Sequence, residues 1–200
     1  MNKSFAIGIA VALAIGSVAQ ADAAGRFVAG GIRGRAGGGV VAGHAGGFRG
    51  PNGAAGIHGR RTVTDGQGNA HTGSAGAWRG PDGGTATRSG ETTRNADGSA
   101  QHQSGFHANG PNGGSVSSNG TATRNADGSG SFDRQTTATG PNGGTYNRST
   151  SGATGQGVTR STQATGANGN SYSGQTTVSK DGITHTGGCT NAAGEAISCH

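Results

Sequence analysis

The apolar positions of this chain fall into one short run near its start and a sparse scatter afterwards. Phe5 to Ile15 is an unbroken series of apolar residues and glycine, whereas only ten sizeable apolar side chains lie between Thr62 and Gly188. No part of that second region repeats apolar residues every 3.6 positions, so we expect essentially no helix there. Stretches of roughly ten residues rich in Thr, Ser, Val and aromatic residues predict strands, each with about one large apolar side chain.

Turn motifs divide this region into repeats. Gly-Pro-Asn-Gly or Gly-Pro-Asp-Gly recurs every 30 residues, at Gly50, Gly80, Gly110 and Gly140, and a degenerate copy begins at Gly166. Proline fixes φ and the final glycine accepts a positive φ, so each motif predicts a tight turn. The sequence Asn-Ala-Asp-Gly at 95–98 places similar turn chemistry half a repeat later. Each repeat therefore contains two turns and two strands.

Strands of this length separated by regular turns fit two architectures. We expect an all-β repeat fold that forms an antiparallel β-meander of about ten short strands, with each repeat making one hairpin. The alternative is a β-solenoid, in which 30 residues make one coil. The meander is favoured because the turn sequences alternate along the chain, whereas a solenoid keeps one turn type at each corner. The polar composition also permits disorder.

Composition limits how such a fold is stabilised. Glycine occupies 45 of 200 positions and hydrophobic residues make up 29%, against roughly 45 to 50% apolar usage in globular domains. So few large apolar side chains cannot offset a backbone entropy cost of about 1 kcal/mol per residue. If the repeats fold, backbone hydrogen bonds in a repetitive sheet must supply what the side chains lack.

The first residues predict an export signal. The apolar run is followed by Ala19-Gln20-Ala21, the small-x-small pattern that signal peptidase accepts. The run is too short for a spanning helix, which needs roughly 18 residues or more. We expect a signal peptide at 1–21, a flexible Gly- and Arg-rich arm at 22–49, tandem β-repeats at 50–188 and a disulfide-closed hairpin at 189–200. The product, without a transmembrane segment after signal removal, would be periplasmic, secreted or held at the cell surface.

Positive charge is concentrated near the start of the mature chain. No Asp or Glu occurs between positions 23 and 61, where six arginines lie: Arg26, Arg33, Arg35, Arg49, Arg60 and Arg61. Such a cluster favours an anionic polymer as partner, such as lipopolysaccharide, polysaccharide or extracellular nucleic acid. The alternative is that the cluster reflects codon composition and the solubility that arginine confers.

The two cysteines lie close together at the end of the chain. Cys189 and Cys199 flank a turn sequence at 191–194. In an oxidising compartment two such thiols are expected to form a disulfide that closes the final hairpin. A metal site that includes His200 is the rival interpretation, and a free reactive thiol is a further one.

The rest of the sequence contains no convincing catalytic, cofactor-binding or metal-binding motif. Gly37 to Ala42 fits Gly-x-Gly-x-x-Ala, but it follows no predicted strand, opens no predicted helix and lies in a Gly-rich segment. The carboxylates are scattered singly, and His107 lies five positions after His102, which places the two on opposite faces of a strand. We expect no catalytic residue, no metal site and no cofactor, and a protein that is not an enzyme.

The Gly-Pro-Asn-Gly-Gly-Thr turns, together with the Thr-Arg and Asp-Gly-Ser pieces between them, resemble a loose group of exported proteobacterial repeat proteins. The likeness covers about residues 50–188 and consists of composition and turn motif. It implies export and β-repeats, and no mechanism.

Two functions remain as expectations. The first is a structural or interaction protein of the cell envelope or extracellular matrix that binds polyanions through its N-terminal arginines. The alternative is a periplasmic binding module for a metal or a carbohydrate. A meander also leaves two edge strands with unpaired amides, so self-association through these edges is a further expectation.

Overall fold

The structure is a computed structural model that describes residues 25–35 and 37–199. The predicted signal peptide, 1–21, and the first residues of the predicted arm lie outside the described residues. The elements are β1 (Gly25–Gly34), β2 (Val40–Arg49), a 3-10 turn (Pro51–Gly53), β3 (Ala55–Thr64), β4 (Ala70–Arg79), β5 (Thr85–Arg94), β6 (Ala100–Asn109), β7 (Ser115–Arg124), β8 (Gly130–Thr139), β9 (Thr145–Ala153), β10 (Gly157–Thr165), β11 (Ser171–Ser179), β12 (Gly182–Thr190) and β13 (Ala196–Ile197).

These strands form one open antiparallel meander, so the predicted fold class is confirmed. All thirteen belong to one sheet, and their order in the sheet is their order in the chain. A solenoid would instead stack coils with parallel strand pairing. The region predicted to hold about ten strands contains ten, β3 to β12, and the three further strands are β1, β2 and β13.

The N-terminal segment departs from the expectation of a flexible arm at 22–49. Its described part forms β1 and β2, which pair in unbroken register from Gly25 with Arg49 to Gly34 with Val40. Gly37 and Gly38 adopt positive φ in the connecting turn, and the Arg35 amide donates to the Gly39 carbonyl at 2.7 Å. A sheet ladder needs only backbone donors and acceptors. A Gly-rich segment without the repeat motif therefore extends the meander by one hairpin.

Most of the Gly-Pro-Asn-Gly-type turns at one end of the sheet and the two Asn-Ala-Asp-Gly turns at the other end differ in sequence but share one backbone geometry. In the turn that starts at Gly110, the Gly113 amide donates to the Gly110 carbonyl at 3.3 Å, and Gly113 has φ of 90°. In the opposite turn, the Gly128 amide donates to the Asn125 carbonyl at 3.0 Å, with φ of 85° at Gly128. In both, a hydrogen bond closes a four-residue turn whose last residue is a left-handed glycine. The three residues after the first form the loop, and this is a common hairpin connection. Among these turns the alternation that favoured the meander is thus confined to sequence, whereas the connections after β9 and β11 are shorter.

The second glycine of the Gly-Gly pairs has a different role. A Cβ added at Gly84 would lie 3.2 Å from Cδ of Pro111, and one added at Gly114 would lie 3.2 Å from Cδ of Pro141. Pro111 and Pro141 therefore each pack on the glycine that follows the preceding Pro-containing turn. This contact ties successive repeats together at one end of the sheet.

The sheet is a single layer without a hydrophobic core. No apolar or polar side chain is buried among the described residues. The buried residues are all glycines, namely Gly39, Gly46, Gly47, Gly56, Gly73 and Gly76. Stability therefore depends on backbone ladders and on cross-strand side-chain pairs, which contribute roughly 0.2 to 1 kcal/mol each.

The chain ends in the predicted disulfide-closed hairpin. Cys189 pairs with Ile197 in the β12–β13 ladder and forms a disulfide with Cys199, with a Cα–Cα distance of 5.4 Å. The predicted boundary at 188/189 falls inside β12. His200, the residue invoked for a metal site, lies outside the described residues. No helix in residues 25–35 and 37–199 is long and apolar enough to cross a membrane.

Replacing Gly113 with alanine should destabilise the protein. A non-glycine residue in the left-handed region costs roughly 1 to 2 kcal/mol, and we expect a loss of that size in free energy of unfolding by urea titration. Gly188→Ala is the matched control, since its Cβ would meet nothing within 4 Å and its φ is not positive. Equal losses in the two variants would contradict the turn assignment.

Acid should weaken the Asp-Gly turns. Hydrogen bonds from the Ser99 and Ser129 hydroxyls, and then from their amides, hold the pKa of Asp97 and Asp127 below the usual value. A lowered folded pKa gives stability that is present above the unfolded pKa, about 3.9, and is lost as pH falls through the folded pKa. The free energy of unfolding should therefore decrease below about pH 4.

The double variant Asp97→Asn and Asp127→Asn should show a smaller acid decrease. Asparagine keeps the oxygen that accepts the amide hydrogen bonds but does not titrate. Urea unfolding at pH 6, 4, 3 and 2 measures this difference, with Asp133→Asn in strand β8 as control. An acid profile identical to that of the unchanged protein would refute the role of the two turn carboxylates.

Candidate functional site

The unbroken register arranges the side chains in rows that cross the strands on one face of the sheet. One row consists of Gly25, Arg49, Ala55, Arg79, Thr85, Asn109, Ser115, Thr139, Thr145, Thr165, Ser171 and Thr190. The next row consists of Arg26, Phe48, Gly56, Trp78, Ala86, Ala108, Val116, Ala138, Tyr146, Ala164, Tyr172 and Cys189. Successive residues of a strand project to opposite sides. We call the face of the first row the polar face and the other the arginine-aromatic face.

The polar face is nearly uniform from β5 to β12. It carries Ser, Thr, Asn, Gln, Gly and Ala, apart from His107, Glu91 and Asp133. Hydroxyl pairs cross between strands, as between Ser171 and Thr190 at 2.7 Å. This face offers hydrogen-bonding groups with little charge.

The arginine-aromatic face has the opposite character over the same strands. Six arginines project from it: Arg88, Arg94, Arg124, Arg134, Arg148 and Arg160. Every aromatic Phe, Tyr and Trp side chain of the described strands except Phe27 also lies here. The only acidic residues within the described strands, Glu91 and Asp133, are both on the polar face. The arginine-aromatic face is therefore cationic without internal neutralisation.

Several aromatic rings on this face lie over glycines. A Cβ added at Gly56 would lie 2.5 Å from Cε1 of Phe48 and 2.7 Å from Cδ1 of Trp78, so both rings occupy the space above that glycine. A Cβ at Gly152 would lie 2.6 Å from Cε1 of Phe132. Rings placed across glycines cover exposed backbone and restrain their own motion. Phe132 nevertheless remains 40% exposed.

The single tryptophan of the chain connects the aromatic and basic groups. The Arg88 guanidinium carbon lies 5.0 Å from the centroid of the Trp78 ring, within the range of a cation–π interaction. Trp78 fluorescence is therefore sensitive to changes on this face.

The arginines singled out by sequence lie on both faces. Arg26 and Arg60 project from the arginine-aromatic face, and Arg33, Arg49 and Arg61 project from the polar face. Arg35 lies in the turn after β1. All six are exposed, so they surround the first three strands and do not converge on one surface.

Sequence reasoning did not identify the six arginines of β5 to β10 as a surface. A local signal was present, because Phe132 precedes Arg134 by two residues and Tyr146 precedes Arg148 by two residues. Residues two apart share a face of a strand. Placing different strands on the same face, however, required the register.

The histidines are dispersed over the sheet. His44 and His58 approach with ring centroids 6.3 Å apart, and His102 and His107 project from opposite faces, as predicted from their spacing. No group of three His, Cys, Asp or Glu side chains in the described part of the chain is arranged to hold a metal ion.

The two edges of the sheet differ. β1 has a partner only on its β2 side, so a whole strand edge is unpaired within the described structure. At the other end, the short β13 pairs with Cys189 and Thr190 of β12, and the disulfide holds it there. Within residues 25–35 and 37–199 the N-terminal edge is therefore the longer unpaired edge.

Gly56→Ala should displace the aromatic side chains around it. The added methyl group would overlap the rings of Phe48 and Trp78, so we expect a shift in Trp78 emission and a loss of stability. Gly59→Ala in the same strand is the matched control, because its nearest neighbour, the His44 carbonyl oxygen, would be at 3.5 Å. If the two variants gave the same emission spectrum, the ring-over-glycine arrangement would be wrong.

Comparison with known proteins adds no assignment of function. The chain matches no family model, and it has no significant match among curated proteins or solved structures. What it binds must therefore be inferred from the residues of its two faces, its edges and its turns.

Proposed function

We propose that this protein is an exported structural or interaction protein of the cell envelope or extracellular matrix, and that it binds an anionic polymer through its N-terminal arginines. We propose no catalytic role for it. The observation that carries it is the charge of the first three strands. In residues 25–35 and 37–64 every charged side chain is an arginine, apart from histidines.

The placement of these arginines suits a polymer better than a small ligand. Because Arg33, Arg49 and Arg61 are on one face and Arg26 and Arg60 on the other, a small anion could reach only part of the set. A flexible chain can follow exposed charges around the sheet edge. A guanidinium group donates two hydrogen bonds to a phosphate or carboxylate group. Lipopolysaccharide, acidic polysaccharide and nucleic acid all carry such groups.

The rest of the fold supports a role as a spacer. Thirteen strands at about 4.8 Å separation give a sheet about 60 Å across. The Cys189–Cys199 disulfide is a feature of proteins in oxidising compartments, in keeping with export. The unpaired edge of β1 supports self-association by strand addition as a second part of the proposal.

The alternative function is a periplasmic module that binds a metal or a carbohydrate. One observation favours carbohydrate binding. The polar face presents hydroxyl and amide groups around a shallow depression lined by Gly73, Ala75, Ser89 and Gly105. Binding of a neutral polysaccharide that is independent of salt and of the N-terminal arginines would favour this alternative.

Replacing Arg26, Arg33, Arg35, Arg49, Arg60 and Arg61 with glutamine should weaken binding to lipopolysaccharide. Exposed ion pairs contribute roughly 0.2 to 1 kcal/mol each, so six together predict a loss of at least about 1.2 kcal/mol, which is about sevenfold in affinity. The affinity of the mature protein for lipopolysaccharide vesicles at several salt concentrations measures this.

The same six positions changed to lysine provide the control, since charge is retained and most of the affinity should remain. Circular dichroism checks that the sheet persists in both variants. If the glutamine variant binds as tightly as the unchanged protein, the arginine cluster has no role in binding.

A further inference from the structure

We propose that the arginine-aromatic face of β5 to β11 binds single-stranded nucleic acid. This site uses none of the six N-terminal arginines, so it stands or falls separately from the function proposed above. Four features of the face support it: its uncompensated charge, its fixed rings, the way the two are interleaved, and its lack of an alternative occupant.

The charge of the face is free to meet a ligand. Six arginines project from β5 to β10, and no acidic residue projects from the same face of any described strand. None of these arginines forms an ion pair with any described residue. The ion pairs among the described residues are His71 with Glu91 and Lys180 with Asp181. A ligand with several negative charges is the direct complement of this surface.

The aromatic rings are positioned as stacking platforms. Phe132 lies across Gly152 of the neighbouring strand, and Tyr172 lies along its own strand across Gly174. The glycine beneath each ring lets the ring approach the backbone, and Phe132 remains 40% exposed to solvent in this position. Stacking of bases on such side chains is a general means of binding single strands without sequence preference.

Charges and rings alternate across β8, β9 and β10. Arg134 and Arg160 lie in one row on either side of Thr150, and Arg148 lies two residues from Thr150 on the strand between them. Strand geometry places these arginines about 8 to 10 Å apart. Phe132 and Tyr146 occupy the next same-face positions on β8 and β9. A flexible strand thus meets phosphate contacts and ring contacts in turn.

Other occupants fit this face less well. A second copy of the chain would bring either six further arginines or a polar face with only Glu91 and Asp133 over the same strands. An acidic polysaccharide matches the charge but has no bases to stack. A duplex presents phosphates while its bases are already stacked. Single-stranded nucleic acid is the ligand that uses both the arginines and the rings.

The test compares two double variants of equal net charge in the mature protein, with fluorescent (dT)20 as probe and anisotropy measured over a range of salt. Arg134→Gln with Arg148→Gln should weaken binding about fivefold or more and reduce the salt slope by about 1.4, since each phosphate contact on a single strand contributes about 0.7. Arg79→Gln with Lys180→Gln removes two exposed cations that lie outside this face and outside the N-terminal cluster, and should change binding less than threefold. Equal weakening by both double variants would overturn the proposal in favour of non-specific charge.

A second pair of variants tests the rings. Phe132→Leu should weaken (dT)20 binding about fivefold or more without changing the salt slope, because stacking is lost while charge is kept. Phe27→Leu on the polar face is the matched control and should leave affinity unchanged. An unaffected Phe132→Leu variant, or polygalacturonate that binds as tightly as (dT)20, would show that charge alone is recognised and would overturn the nucleic-acid assignment.

A further variant on the same face tests the proposal if one of the variants above fails to fold. Circular dichroism checks each protein, and Arg94→Gln with Arg124→Gln is a second double variant on the same face. It should also weaken (dT)20 binding more than Arg79→Gln with Lys180→Gln does. If it does not, the face as a whole is not the binding surface.

Discussion

The structure depends on its backbone hydrogen-bond ladder. With no buried side chain in the described residues, the hydrophobic effect has little area on which to act. The strands of this sheet are instead held by the antiparallel pairing that runs from β1 to β12 without a break. This explains why glycine can occupy so many positions. A ladder needs an amide and a carbonyl from each residue, and glycine supplies both while allowing neighbouring rings to lie against the backbone, as Phe48 and Trp78 do at Gly56.

A ladder without a core has to obtain its register elsewhere, and here the turns provide it. A slip of one residue would move every side chain of a strand to the other face. In most sheets a buried apolar face opposes such a slip, but the described residues cover neither side of this sheet. The left-handed glycines, such as Gly113 and Gly128, fix where each strand ends and the next begins. The packing of Pro111 on Gly84 and of Pro141 on Gly114 aligns successive repeats in addition.

Register in turn determines the surface chemistry. The two faces share a backbone but differ in charge, because the arginines of β5 to β10 occupy one set of alternating positions and Glu91 and Asp133 occupy the other. The aromatic rings project with the arginines. The proposed nucleic-acid surface and the polar face are therefore two consequences of the same strand pairing. The N-terminal arginines are different, since they alternate between the faces around the free edge of β1.

Local chemistry was enough to predict the meander, the ten strands of the repeat region and the Cys189–Cys199 disulfide, because Pro, Gly and Asn restrict the backbone within a few residues and the two thiols flank one turn. The strands at 25–34 and 40–49 were missed, since a Gly-rich segment without the repeat motif joins a sheet only when a neighbouring strand offers a ladder. The sequence by itself placed Arg134 two residues from Phe132. Only the tertiary structure decided that Arg148 and Arg160 share their face, because that depends on how β8, β9 and β10 align across turns of different length.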